Sequence, residues 1–222
     1  MTLLRNQYTS ELEQLRLQVE VMAVRVEENL DRMRYALADS QARLGDEAAA
    51  VDVAVDAMNV SLTERCYVLI AREAPVASDL RLIVSVVRVL NELERISDHV
   101  VQICTEAPKE NLASDQSRLY DLILTMADEV IDRFHTARAA WGSMDLESAE
   151  QLAKGSKLLA ALHARLISEL LDLDGQDAVA LALHAAGVGR SLERICDHTS
   201  VIGARLRYLI TGDPAHLAAE LR

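Results

Sequence analysis

Residues 93–99 read LERISDH, and 99 positions later residues 192–198 read LERICDH. Each copy places a glutamate and an aspartate inside a helical apolar pattern. Around the first copy the apolar seam runs Leu80, Ile83, Val87, Leu90 and resumes at Val101 and Cys104. Steps of three and four carry that seam through Glu94 and then Ser97 or Asp98, so the acids interrupt a stripe that faces a core.

Working outward, breaks in periodicity and turn chemistry give six helical segments, about 3–40, 46–73, 76–107, 115–142, 145–172 and 177–211. Gly45 is placed to close the first, with Asp46 and Glu47 putting negative charge at the start of the second. Pro75 suits the first turn of the third, where a missing N–H costs nothing. APKENLASDQS, residues 107–117, is a long polar interruption carrying a Pro. Gly142-Ser143, Leu173-Asp174-Gly175-Gln176 and Gly212-Asp213-Pro214 mark the remaining breaks. The heptapeptide falls in the third helix of each set of three, which argues for duplication. The expected fold is all-α: six helices as two tandem, pseudo-symmetric three-helix bundles, residues 1–110 and 111–222.

Composition agrees. Half of the 222 residues are apolar, enough for a sizeable core, and Gly and Pro are few. Against 35 acidic side chains stand 23 basic ones, a net charge of −12, which opposes attraction to a phosphate backbone and argues against nucleic-acid binding. The N-terminus becomes charged before it accumulates an apolar run, and no apolar stretch reaches spanning length, so neither a signal peptide nor a membrane span is expected. Cys66, Cys104 and Cys196 are too far apart for a CxxC motif and read as reduced core thiols, which implies a cytoplasmic protein.

Glu94 and Asp98 are four apart and share a helix face, with about 5–6 Å between their Cβ atoms. Asp52 and Asp56 repeat that spacing on the second segment. In an antiparallel hairpin turning near Pro75, Asp56 lies at the height of Glu94 and Asp52 at the height of Asp98. Four carboxylates at one level must be neutralised by protons, by arginines such as Arg65 or Arg95, or by a metal ion. Carboxylate-only ligation favours hard or borderline cations such as Mg, Mn, Ca or Fe, with zinc needing additional ligands. In the second half Glu193 and Asp197 match Glu94 and Asp98, but the facing positions hold Ser156 and Ala160, with Lys157 alongside. An ion pair to Lys154, Lys157 or Arg190 competes with a cation there, so the two halves are expected to be unequal.

These motifs together, D-V-A-V-D at 52–56, P-V-A-S-D-L-R at 75–81, E-R-I-S-D at 94–98 and E-R-I-C-D at 193–197, resemble those of the PhoU family of phosphate transport system regulatory proteins, over most of the chain. The resemblance implies a cytoplasmic, commonly dimeric negative regulator of phosphate uptake and of the phosphate-starvation response. Such a protein links the ATPase subunit of the phosphate ABC transporter to a membrane sensor histidine kinase. It also implies iron, zinc, manganese or magnesium at the acidic motifs. The S-K-L-L-A at 156–160 departs from the acidic pair usual in the family's second repeat. Asp79 and Arg81 open the third helix, where Asp79 either stabilises the positive end of the helix dipole or joins Arg81 in a partner contact. Asp79 lies about 22 Å along the helix from Glu94 at 1.5 Å per residue, outside the first cluster.

Two other readings compete: a helical adaptor without metal, and a ferritin-like di-metal carboxylate oxidase. The oxidase requires Glu-x-x-His on two helices. Ile96 and Ile195 stand three before His99 and His198, so that motif is missing from both heptapeptides. The two histidines point about 100° away from the preceding acids, suited to supporting or surface roles. Asp132-x-x-His135 and Asp213-x-x-His216 read as surface pairs. No nucleophile triad or Gly-rich phosphate loop is legible, and no enzyme is expected.

Overall fold

The computed structural model describes residues 2–39, 42–106 and 117–221. Among them there is no strand. The chain forms α1 (Thr2–Asp39), α2 (Ala42–Glu73), α3 (Ala77–Glu106), α4 (Ser117–Ser143), α5 (Leu146–Ala153), α6 (Lys157–Leu171) and α7 (Ala178–Thr211), followed by a 3-10 helix over Pro214–Leu221. Apart from Ser117, the polar connector at 107–117 lies outside the described residues.

The fold is the expected pair of three-helix units with the fifth rod broken in two. At the break Gly155 takes φ +75°, a left-handed conformation natural to glycine. Ser156 then caps α6, its Oγ accepting from Leu159 N at 3.0 Å. Asp145 caps α5 in the same way, accepting from Glu147 N and Ser148 N, each at 3.2 Å. Helical periodicity continues across residues 154–156, which is why pattern alone joins the two pieces.

Two boundary expectations need correcting. α2 begins at Ala42, so Gly45 lies within it rather than closing α1, and Asp46 and Glu47 fall beyond its first turn. A Cβ at Gly45 would stand 3.2 Å from the Cys104 carbonyl oxygen, so the glycine lets the start of α2 lie close to the end of α3. Pro75 belongs to the turn between these helices, and α3 starts at Ala77 with Asp79 in its first turn.

α2 packs on α1 and α3, and α5 and α6 pack on α4 and α7; α3 against α7 and α1 against α4 join the halves. The result is a central layer of α1, α3, α4 and α7 flanked on one side by α2 and on the other by α5 and α6. One continuous core runs through both units, including Leu15, Met22, Leu90, Phe134, Leu166 and Leu192. Arg138 Nε donates to Glu27 at 2.9 Å and Trp141 Nε1 to the Arg16 carbonyl at 3.4 Å, fixing α4 across α1. Cys66, Cys104 and Cys196 are buried free thiols. Burial pushes Cys66 up to about 11 and Cys104 up to about 12, which keeps both protonated and unreactive. No helix among the described residues is long and apolar enough to cross a membrane.

Candidate metal centre

The short turn after Glu73 fixes the register of α2 against α3 and brings Asp52, Asp56, Glu94 and Asp98 to one face. Loss of solvent raises the Asp52 carboxyl above the usual range, with Asp56 and Asp98 adding to the rise and the nearby Ser97 hydroxyl offsetting part of it. Glu94 is raised first by loss of solvent and then by Asp98, Asp56 and Asp52, with Arg95 acting in the opposite sense. Asp52 Oδ1 and Ser97 Oγ are buried, and neither has a partner in hydrogen-bond geometry. Asp56 and Asp98 are exposed.

Of the two arginines expected to compensate these acids, Arg95 acts on Glu94 but Arg65 does not join the group. Arg65 turns away to α1, where its Nη2 donates to Gln14 Oε1 at 2.8 Å. The chemistry of the donors, four carboxylates with an orphaned oxygen, suits a hard cation. As the side chains stand, however, no three His, Cys, Asp or Glu side chains among the described residues form a group that could hold a metal ion. Exposed Asp56 and Asp98 have the rotamer freedom such convergence requires.

The second half is satisfied differently. Glu193 Oε1 meets His163 Nδ1 at 2.9 Å, and Asp197 Oδ2 lies 3.4 Å from Arg194 Nη1. Ser156 Oγ donates to Glu129 at 2.6 Å and does not face Asp197 as a ligand. The hydrogen-bond partner of Glu193 is thus His163, rather than Lys154, Lys157 or Arg190. In the sequence His163 is a lone histidine on the facing helix, two turns after the Ser156 cap.

Asp79 and Arg81 find neighbours inside the molecule. Asp79 faces Tyr8 of α1, whose phenol is raised by loss of solvent and then by the Asp79 charge. Arg81 lies under the end of α7: a Cβ on Gly212 would stand 3.2 Å from Arg81 Cζ. There the guanidinium complements the negative end of the α7 dipole. His135 Nε2 approaches Glu27 at 3.3 Å rather than Asp132, while His216 Nε2 lies 3.8 Å from Asp213.

Pattern reading did not reveal what the heptapeptide histidines meet. His99 and His198 stack on each other between α3 and α7. His198 Nδ1 also pairs with Glu92 Oε2 at 2.7 Å, and Glu92 Oε1 lies 3.2 Å from Arg88 Nη2. Burial first, then His198, lowers the His99 pKa, with Gln102 and Asp98 acting in the opposite sense. Glu92 is almost fully buried. Its signal in the sequence is an acid in helical register with Val89 and Ile96, four residues after an arginine.

The PhoU domain model matches this chain twice, over residues 19–107 and 123–206. The phosphate-specific transport system accessory protein PhoU of Edwardsiella tarda is 28% identical over 217 residues, spanning 96% of this chain and 89% of its own. The protein of that name from Escherichia coli K12 is also 28% identical over 217 residues, covering 96% and 90%. Among solved structures, PhoU from Pseudomonas aeruginosa superposes with TM-score 0.87 at 27% identity, covering 93% of this chain and all of that one. The phosphate transport system regulatory protein PhoU from Streptococcus pneumoniae, at 21% identity and TM-score 0.84 over 93% of this chain and 98% of its own, has the same fold.

Proposed function

The chain belongs to the PhoU family, and from that premise we propose that it is a cytoplasmic negative regulator of phosphate uptake. In this reading it acts as an accessory protein of a phosphate transporter, contacting the ATPase subunit and restraining a membrane sensor histidine kinase when phosphate is plentiful. The names of its relatives support the transport role, and the kinase link and a homodimer follow from family resemblance. It is an adaptor without catalysis of its own.

The observation that carries a functional site is the α2–α3 face, where four carboxylates stand close enough for loss of solvent and their mutual repulsion to drive Asp52 and Glu94 toward protonation. Asp52, Asp56, Glu94 and Asp98 would hold a cation of the Fe, Mn or Mg type, or zinc with further ligands. Such an ion would cancel their mutual repulsion and draw α2 and α3 together. Glu193 and Asp197, already paired, are the weaker second place. The lack of a preformed three-ligand group favours a second reading, an adaptor that works without metal.

Two measurements separate these. Deleting the gene should raise phosphate-regulon transcription in phosphate-replete medium, with the wild-type chain restoring repression; an unchanged transcript profile overturns the regulatory reading. Metal analysis of protein purified without chelator should show less bound metal in Asp56→Asn/Glu94→Gln than in wild type. Equal contents overturn the metal centre and leave the adaptor.

A further inference from the structure

α2 is a flanking helix of 32 residues that packs on α1 and α3. Its outward face carries Val53, Val60 and Tyr67, which are 69%, 69% and 60% exposed. They are spaced by seven, so they line one seam about 21 Å long at 1.5 Å per residue. Exposed Ala57 and Ala71 lie on the same face and leave room for a close approach. Beside the seam a groove of about 410 Å³ opens between α2 and α3, lined by Asn59, Val60, Thr63, Glu64, Tyr67 and Asn91.

We propose that the outer face of α2, from Val53 to Tyr67, is a docking surface for a basic amphipathic helix of another protein. The seven-residue spacing is that of a helix laid into a groove, whose apolar positions meet the seam at every second turn. Charge selects the sign of the partner. The seam is flanked by exposed Asp56 and Glu64 on α2, and by Glu94 and Asp98 across the groove's end on α3. Arg65 points to Gln14 on α1, and Arg95 is the cation acting on Glu94. Lysines or arginines flanking an apolar seam would meet a row of acids, Asp56, Glu64, Glu94 and Asp98, in which Arg95 is the cation beside Glu94.

The same charges disfavour other occupants. A second copy bound through this face would set one acidic seam against an identical one, on a chain of net charge −12. An anionic bilayer is repelled for the same reason. In the second half the corresponding flanking rod is broken between α5 and α6.

The surface shares Asp56, Glu94 and Asp98 with the proposed cation site, but its apolar seam, Val53, Val60 and Tyr67, lies outside that site. The test uses the full chain, treated with chelator, and a labelled synthetic peptide of three heptads with leucine at a and d and lysine at e and g, followed by fluorescence anisotropy. A second peptide carries glutamate in place of lysine. The lysine peptide should bind and weaken as salt rises from about 0.05 M to about 0.3 M, and the glutamate peptide should not bind. Val60→Ser/Tyr67→Ser should weaken binding about tenfold and Asp56→Asn/Glu64→Gln about threefold; Leu171→Ser/Leu183→Ser, exposed on α6 and α7 of the second half, should leave it unchanged. Unchanged far-UV circular dichroism of Val60→Ser/Tyr67→Ser establishes that the fold survives, and its unchanged metal content separates this surface from the cation site. The proposal is overturned if the lysine peptide fails to bind, if the glutamate peptide binds equally, or if Val60→Ser/Tyr67→Ser binds like wild type. It is also overturned if phosphatidylglycerol vesicles retain the chain through Val60 and Tyr67, or if that variant converts a sedimenting dimer to monomer.

Discussion

His99 and His198, the closing residues of the two heptapeptides, stack with ring centroids 5.8 Å apart and 24° between their planes. Duplication therefore brings the two copies face to face where α3 packs on α7. The contact is not symmetric: Glu92 serves His198 and Arg88, whereas the equivalent position in the second half is Ser191, which donates to Gln102 at 3.3 Å. Removing Glu92 leaves His198 and Arg88 without their shared acceptor between the halves. Glu92→Ala should cost roughly 2–3 kcal/mol, and Glu92→Gln, which keeps an acceptor for His198, clearly less. Urea unfolding of the two variants checks this; equal losses would show that the acceptor does not matter.

Two glycines of α7 permit close helix contact but differ in what a methyl group would strike. At Gly203 a Cβ would lie 2.6 Å from Leu152 Cβ and 3.0 Å from both Ala149 O and Ala153 N, all fixed parts of α5. At Gly189 it would lie 2.6 Å from Leu166 Cδ2, the movable end of a side chain. Gly203→Ala should destabilise by about 2 kcal/mol through forced backbone movement. Gly189→Ala should come out near neutral, since alanine's helix propensity recovers about 1 kcal/mol. Thermal or urea midpoints that rank the two in the opposite order would refute this account of α7 packing.

What could be read before the structure was whatever helical period and a short turn determine. The face shared by Asp52, Asp56, Glu94 and Asp98 follows from spacings of four and a three-residue turn, both local. The break at Lys154–Ser156 was hidden because Ala149, Leu152, Leu159 and Leu166 keep a helical rhythm across it, and one glycine with φ > 0 leaves no mark on that rhythm. The His99–His198 stack was hidden for another reason. A rotation of about 100° per residue says that the histidines leave the acid face, but what they meet depends on how α3 crosses α7, a contact between distant halves. His163 as the partner of Glu193 has the same origin: the break in the rod changes the register between α6 and α7, so the facing residues differ from those a continuous helix would supply.

The cap of α5 supplies a pH dependence whose sign follows from its hydrogen bonds. The Ser148 side chain first, then the backbone N–H groups of Ser148 and Glu147, hold the Asp145 carboxyl below its ordinary value. A lowered carboxyl contributes stability that is present above its unfolded pKa and lost as pH falls through the folded one. Asp145→Asn can still cap but does not titrate. The advantage of wild type over this variant should therefore be constant near neutrality and shrink between about pH 5 and about pH 3. Unfolding midpoints of both proteins along that range provide the check; a constant difference down to the acid end would contradict it.

The two acidic pairs should behave differently when a cation is offered. Glu94 and Asp98 face two further carboxylates, and every pairwise term among them favours a bound cation. Glu193 instead has His163 at 2.9 Å, and Asp197 has Arg194 at 3.4 Å. A cation at the second pair would compete with an imidazole and a guanidinium for two carboxylates, without the repulsion that drives binding at the first. Calorimetric titration of the chelator-treated chain with Mn²⁺ should lose its main binding event in Asp56→Asn/Glu94→Gln, and retain it in Glu193→Gln/Asp197→Asn. Without metal, single substitutions at Glu94 and Glu193 should separate the halves again. Glu94→Gln removes repulsion and should raise the unfolding midpoint, whereas Glu193→Ala removes the partner of His163 and should lower it. A shift of the same sign in both would mean that the halves are electrostatically equivalent, and that the facing residues Asp52, Asp56 and His163 do not decide how each heptapeptide is used.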